Sequence, residues 1–343
     1  MNRKSFLSSV ARVGAALPFT NFPATDAAPG AETILIPKYL QFGDTIGICC
    51  PAGDITYKDI DPSIKQIEDW GYKVRIGSTV GKKDFIFGGV DEDRRKDFQS
   101  MLDDPVIRAV MCARGGYGTV RIIDRLDFST FLGNPKWVVG FSDITVLHSH
   151  LNRNCRTATI HSKMCNSFPG DRAHAEPVQQ DSIESIKRAL SGVRMSYSIA
   201  PAEGNRMGSG EGALVGGNLK TIESLTGSLS DIETSGKILF LEDTDEFLYS
   251  IDRMFWNLLR SGKLSKLRGL IIGGIKPKPD DPGEAFGMTL TKIIREKVSE
   301  FGYPVCFDFP IGHQKNNYAL KCGIPHCLSV REDGVDLTEI PAT

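Results

Sequence analysis

Lys136-Trp137-Val138-Val139-Gly140-Phe141-Ser142-Asp143 is an apolar run of strand length that ends at a glycine, and helical spacing follows from Asp143 to Leu151. A strand that turns directly into a helix is half of a βαβ unit. The same rhythm extends upstream. Ile107 to Cys112 is a second apolar strand, stopping at Arg114-Gly115-Gly116-Tyr117-Gly118, and Val120 to Leu126 after it is expected as a helix. Thr45 to Cys50 is a β-like run ending in Pro51-Ala52-Gly53, Ile60, Ile64, Ile67 and Trp70 have helical spacing, Lys73 to Ile76 is a strand candidate, and Asp91 to Leu102 is a charged helix. Strands alternating with helices predict an α/β fold with a parallel sheet covered by helices.

From Asn166 to Gly208 the rhythm fades while Pro, Gly and charge increase, which marks a connection between domains. Beyond it, Ala213 to Val215, Lys237 to Leu241, Leu267 to Ile272 and Cys327 to Val330 are strand candidates. Ser250 to Ser261 is a helix with Ile251, Met254, Phe255, Leu258 and Leu259 on one face. The expected organisation is an α/β domain over 38–165, a linker over 166–208 and a smaller mixed α+β domain over 209–343.

A chain of 343 residues suits two domains. With 41 basic and 42 acidic residues its net charge is −1, so it lacks the cationic surplus of a nucleic-acid groove or of a surface for anionic membranes. The 8 cysteines are too few for a disulfide scaffold and include no paired C-x-x-C zinc motif. Most lie in apolar segments and are expected as buried thiols. A Cys322–Cys327 disulfide stays open for an exported chain.

Residues 1–30 have a signal-peptide outline: a basic start from Met1 to Lys4, an apolar stretch from Phe6 to Phe19, and small residues from Ala24 to Ala28. Arg12 interrupts the apolar stretch, which argues against a membrane span. Arg3-Lys4-Ser5-Phe6-Leu7 is similar to a twin-arginine signal with lysine in place of the second arginine. The expectation is export to the periplasm, with a cytoplasmic tail as the alternative.

Ligands of open parallel sheets bind beyond the carboxyl ends of the strands, so the loops there are the places to search for chemistry. The loop Arg114 to Gly118 has three glycines that permit close backbone approach, but Arg121 stands where a dinucleotide fingerprint needs its third glycine. Gly77 to Lys83 is not a phosphate loop, because it is one residue short between the glycines. Gly140-Phe141-Ser142-Asp143 has the placement of a nucleophile elbow, although Ile144 breaks Gly-x-Ser-x-Gly. A helix cap by Ser142 or Asp143 is the competing reading. A base for such a serine would come from His161, near a strand end, or from His313 in Pro310-Ile311-Gly312-His313. Glu242, directly after Ile238-Leu239-Phe240-Leu241, would orient it.

Arg114-Gly115-Gly116-Tyr117-Gly118, Gly140-Phe141-Ser142-Asp143, Gly216-Gly217-Asn218-Leu219, Leu239-Phe240-Leu241-Glu242-Asp243 and Pro310-Ile311-Gly312-His313 occur in the order found in the LD-carboxypeptidases, which include the microcin-immunity serine peptidases. The resemblance runs from about Gly43 to Val330. It implies a Ser142–Glu242–His313 triad, a first domain like the class I glutamine amidotransferases, a second domain supplying Glu and His, and a homodimer. It implies no metal and no cofactor. On this footing the backbone N–H groups of Gly116 and Asp143 are candidates for the oxyanion hole, and Arg114 for the substrate's terminal carboxylate. The implied activity is cleavage of the LD bond before terminal D-alanine in muropeptides, in peptidoglycan turnover or recycling. Hydrolysis of peptidyl-nucleotide antibiotics or other modified peptides, and a non-catalytic peptide-binding module, are the alternatives. One departure concerns the segment after the elbow helix, where the family often has His-Gly-Pro and this chain has His161-Ser162-Lys163.

Overall fold

The computed structural model describes residues 34–341; the expected signal segment lies outside them. The first half of the chain forms strands β1 (Thr45–Cys49), β2 (Lys73–Ile76), β3 (Ile107–Cys112), β4 (Trp137–Gly140) and β5 (Thr159–His161). They alternate with helices α1 (Tyr57–Asp69), α2 (Asp91–Asp103), α3 (Ser129–Gly133) and α4 (Thr145–Asn154). The second half contributes α5 (Pro177–Leu190), β6 (Ser196–Ile199), β7 (Gly208–Asn218), α6 (Leu219–Ser224), β8 (Ile238–Thr244), α7 (Leu248–Arg260), β9 (Gly269–Lys276) and α8 (Leu290–Lys297). It ends with β10 (Val305–Cys306), β11 (Leu320–Cys322), β12 (Pro325–Val330) and β13 (Val335–Glu339).

The first sheet has the order β11-β5-β4-β3-β1-β2, with β1 to β5 parallel and β11 antiparallel on β5. Every residue of β1 and β4 is buried, as expected of strands covered on both faces. The order reverses at β1, between β2 and β3. That brings the loops after β1, β3 and β4 to one end of the sheet, where ligands of such folds bind.

The second sheet has the order β10-β9-β8-β7-β12-β13-β6. Strands β7 to β10 are parallel, and β12, β13 and β6 extend them as antiparallel neighbours. Trp137, Val139 and Ile160 of the first sheet are buried in the same cluster as Phe240, Ile271 and Leu328 of the second, so the two halves share a core. Ile251, Met254, Phe255 and Leu258 of α7 are buried against Leu239 and Leu241 of β8 in a separate cluster.

The linker expected over 166–208 holds more structure than its composition suggests. Helix α5 opens with Pro177 at its first turn and a capping box between Glu176 and Gln179, then buries Ile183, Ile186, Ala189 and Leu190. Its apolar residues are spaced helically, but the Pro, Gly and charge before it mask the pattern. Strand β6 then joins the second sheet through β13, while β11, expected within the second domain, crosses to the first sheet. Val120 to Leu126 forms two short 3-10 turns, Thr119–Arg121 and Ile123–Arg125, in place of a helix. Cys322 and Cys327 are free thiols.

Replacing the buried Ile186 by alanine should cost about 2–5 kcal/mol through lost contacts and a residual cavity. Urea unfolding of Ile186→Ala measures this, and a loss below about 1 kcal/mol would show that α5 is not docked as described.

Candidate active site

Strand β4 ends at Gly140, Phe141 stays extended, and Ser142 then adopts φ 62°. A non-glycine residue in the left-handed region costs about 1–3 kcal/mol and persists only where its surroundings hold it. Here the Gly140 carbonyl accepts from His148 Nε2 at 2.9 Å and from Ser162 N at 3.0 Å. On the far side of the turn, the buried carboxylate of Asp143 accepts from Thr119 N at 2.8 Å. Burial raises the Asp143 pKa, with the hydrogen bonds from Thr119 opposing the rise. No side chain caps α4, so the cap reading of Ser142 and Asp143 gives way to an elbow geometry.

The glycine loop after β3 lies against this turn. A Cβ at Gly115 would sit 3.0 Å from Ser142 Cβ and 3.3 Å from its Oγ, so a side chain there would crowd the serine. Gly116 has φ 98°, and Gly53 N donates to Gly115 O at 2.8 Å. Arg94, fully buried in α2, donates from Nη1 to Pro51 O at 2.6 Å and to Gly118 O at 2.8 Å, and from Nε to Gly89 O at 3.2 Å. A guanidinium aimed at several carbonyls fixes both loops at the switch point. Sequence gave no sign of this, since Arg94 sits among other charges of α2. Arg114 donates to Asp54 O at 2.8 Å and pairs at 3.8 Å with the Asp54 carboxylate, and its side chain is 48% exposed.

The second sheet supplies the facing groups. Glu242, near the end of β8, has no exposed surface, and His313 Nδ1 donates to its Oε2 at 2.7 Å. Gly312 makes this approach feasible: its φ is 92°, and a Cβ there would fall 2.5 Å from Glu242 Cβ and 2.7 Å from Oε2. The turn is held by Gly312 N donating to Asn317 Oδ1 at 2.8 Å and by Gly274 N donating to Ile311 O at 2.9 Å. Burial pushes the His313 pKa down, but the hydrogen bond and charge of Glu242, with the charge of Asp243, outweigh it, and the net shift is upward. Asp243 is raised to about 6, first by burial, although it accepts from Thr244 N, Lys220 N and Asn218 Nδ2. Asn218 N donates to Thr145 Oγ1 at 3.0 Å, joining β7 to the first turn of α4.

Ser142, Asp143, Gly116, Arg114 and His313 all line one cleft of about 620 Å³, with Asn218, Lys220, Asp243 and Glu246 on its other walls. Glu242 lies behind His313 and out of the cleft. His161, the other base considered, is fully buried among the rings of Phe141 and Phe240, and burial drives its pKa well down. Among the described residues no group of three or more His, Cys, Asp or Glu could hold a metal ion. No described helix is long and apolar enough to cross a membrane.

Ser142, on its strained strand-to-helix turn, thus shares one cleft with His313, which is bonded to the buried Glu242. The LD-carboxypeptidase N-terminal domain matches residues 46–162 and its C-terminal domain matches residues 211–328, and the chain belongs to the LD-carboxypeptidase family. A Bacillus subtilis protein described as a probable murein peptide carboxypeptidase is 32% identical over 86% of this chain and 92% of its own length. The Pseudomonas aeruginosa murein tetrapeptide carboxypeptidase is 30% identical over 81% of this chain and 91% of its own. The solved muramoyltetrapeptide carboxypeptidase from Oxalobacter formigenes superposes with a TM-score of 0.77 at 26% identity, covering 87% of this chain and 99% of that one.

The pKa of His313 is raised in the folded protein, so this group stabilises the fold fully at pH below its unfolded value and loses that contribution as pH climbs through the folded one. Glu242→Gln should therefore move the titration of His313 to lower pH, as followed by the imidazole Cε1–H resonance. An unmoved titration would mean that Glu242 does not govern His313.

Proposed function

We propose that the protein is a serine carboxypeptidase that cleaves the LD amide bond before the terminal D-alanine of muropeptides. Ser142 attacks the carbonyl carbon, and His313 takes its proton through Nε2 while Nδ1 stays bonded to Glu242. The tetrahedral oxyanion is received by the backbone N–H groups of Asp143 and Gly116. His313 then protonates the leaving amine of D-alanine, and water hydrolyses the acyl-enzyme by the reverse transfers. The observation that carries this reading is the 2.7 Å bond from His313 to buried Glu242, on a histidine that lines the same cleft as Ser142.

Arg114, on the rim of that cleft, holds the terminal carboxylate. Its bond to the Asp54 carbonyl occupies one N–H direction and leaves the rest of a half-exposed fork for a bidentate contact. The murein-peptide names of the two relatives at 30% and 32% identity support a muropeptide as substrate. A second reading, hydrolysis of a peptidyl-nucleotide antibiotic, has its support in the Escherichia coli microcin C7 self-immunity protein, 24% identical over 89% of this chain.

Incubation with tri-, tetra- and pentapeptide muropeptides followed by mass analysis should show loss of D-alanine from the tetrapeptide. A folded Ser142→Ala should lose that release by roughly four to six orders of magnitude. Retained activity would remove Ser142 from the mechanism, and turnover of a peptidyl-nucleotide but of no muropeptide would favour the second reading. Failure of Ser142 to react with a serine-directed acylating reagent, with ligand binding intact, would favour a non-catalytic binding module.

Arg114→Gln should raise KM for a substrate with a free carboxyl terminus by roughly tenfold or more, the worth of one charge-assisted contact, with a smaller change in kcat. Steady-state kinetics measure it, and an unchanged KM would refute the recognition role.

A further inference from the structure

His313 is held from its own half of the chain by the backbone of β9 and by Asn317, but one hydrogen bond reaches its turn from the first sheet. Lys163, two residues past the end of β5, donates from Nζ to Gln314 O at 2.6 Å across 151 positions of sequence. Gln314 is otherwise turned inward on its own loop, its Nε2 donating to Phe309 O and Ile311 O at 3.0 Å each. Lys163 thus bonds a backbone carbonyl immediately beside His313. Because the partner is a carbonyl and not a carboxylate, the ammonium charge is not cancelled at that contact.

We propose that Lys163 is a positioning residue for His313, clamping the Gly312–Gln314 turn to the end of β5 and setting a positive charge beside the imidazole. The inference rests on the role proposed above for His313. The charged and titratable groups facing that ring are Glu242 and Asp243 from β8, which favour its protonated form, and Lys163, which opposes it. His161 faces it from β5, and burial keeps that imidazole neutral. The charge of Lys276, at the end of β9, acts on Lys163 in turn. Burial first, and then Lys276, bring the Lys163 pKa down to about 8, so its charge is present at neutral pH and fades above it. A base paired with a buried carboxylate and with no opposing cation would stay protonated to higher pH, where it could not accept the serine proton. The Lys163 charge counters that tendency.

The test is a proton NMR titration of the His313 Cε1–H resonance, assigned by its disappearance in His313→Gln. In Lys163→Met the resonance should titrate at higher pH than in the unmodified protein, and Lys163→Arg should restore most of the difference. With a muropeptide substrate, kcat of Lys163→Met at pH 6 should fall by about tenfold, more than any change in KM, because the base is displaced and more fully protonated. The unmodified protein gives a readout independent of any variant's folding: the same resonance should carry a second, smaller inflection near pH 8 as Lys163 loses its proton. An unchanged titration in folded Lys163→Met, or a single inflection in the unmodified protein, overturns the proposal. If the titrations behave as stated while the unmodified protein releases no D-alanine, the proposal stands and the carboxypeptidase assignment falls.

Discussion

A carboxylate with no exposed surface can be kept only if something donates to it, and Glu242 is given one such donor, His313. Its other oxygen, Oε1, takes no hydrogen bond among the described residues. Breaking a buried pair of this kind by removing one partner costs about 3–5 kcal/mol, so the position of the histidine turn is set by the needs of the acid as much as the reverse. Much of the second sheet serves this contact. Parallel pairing of β7, β8 and β9 carries Glu242 to the carboxyl end beside Asn218, and the bond from Gly274 to Ile311 aligns the turn with β9. Gly312 supplies the absent side chain without which the two groups would collide.

The first sheet meets a matching constraint with other means. Ser142 is held at positive φ by hydrogen bonds to both ends of its turn, and in the glycine loop beside it a Cβ at Gly115 would press on the serine and one at Gly118 on Arg94. One close approach between the two sheets lies at Gly217. A Cβ at Gly217 would lie 2.3 Å from Thr145 Oγ1, and Asn218 N donates to that same hydroxyl. The first turn of α4 is therefore seated directly on the end of β7. Phe141, beside Ser142, packs its ring 4.9 Å from that of His313.

What was legible in sequence follows from this division. Strands β1, β3 and β4 are mostly apolar because both faces are covered, and a glycine or proline stands at the end of each or within three residues of it. The five short motifs stand out because each marks a place where backbone approaches backbone or where polar groups must meet. Arg94 was not legible, since a buried arginine that binds carbonyls has the same one-letter surroundings as an exposed one. Nor were β6 and β11. A strand of three or four residues added to a sheet edge carries too little periodicity to be separated from loop, and its place depends on partners more than a hundred residues away. Helix α5 was hidden by the composition before it, although its own buried residues are regularly spaced.

The chain has 8 cysteines, and their placement bears on which nucleophile the cleft can offer. Cys50 and Cys165 belong to the core shared by the two sheets, and burial pushes both thiols up to about 12. Cys49 and Cys112 pair in register on β1 and β3, and burial raises each well above its ordinary value. A thiol acts as a nucleophile in its thiolate form, so these groups remain inert at neutral pH even though Cys112 ends the strand that carries the glycine loop of the cleft. Hydroxyl chemistry has no such dependence on the pKa of the nucleophile, provided a base stands next to it. The elements that bring His313 to the cleft mouth are the ones that keep it bonded to Glu242, and the same buried pairing that makes the acid tolerable also fixes the direction in which the free ring nitrogen faces.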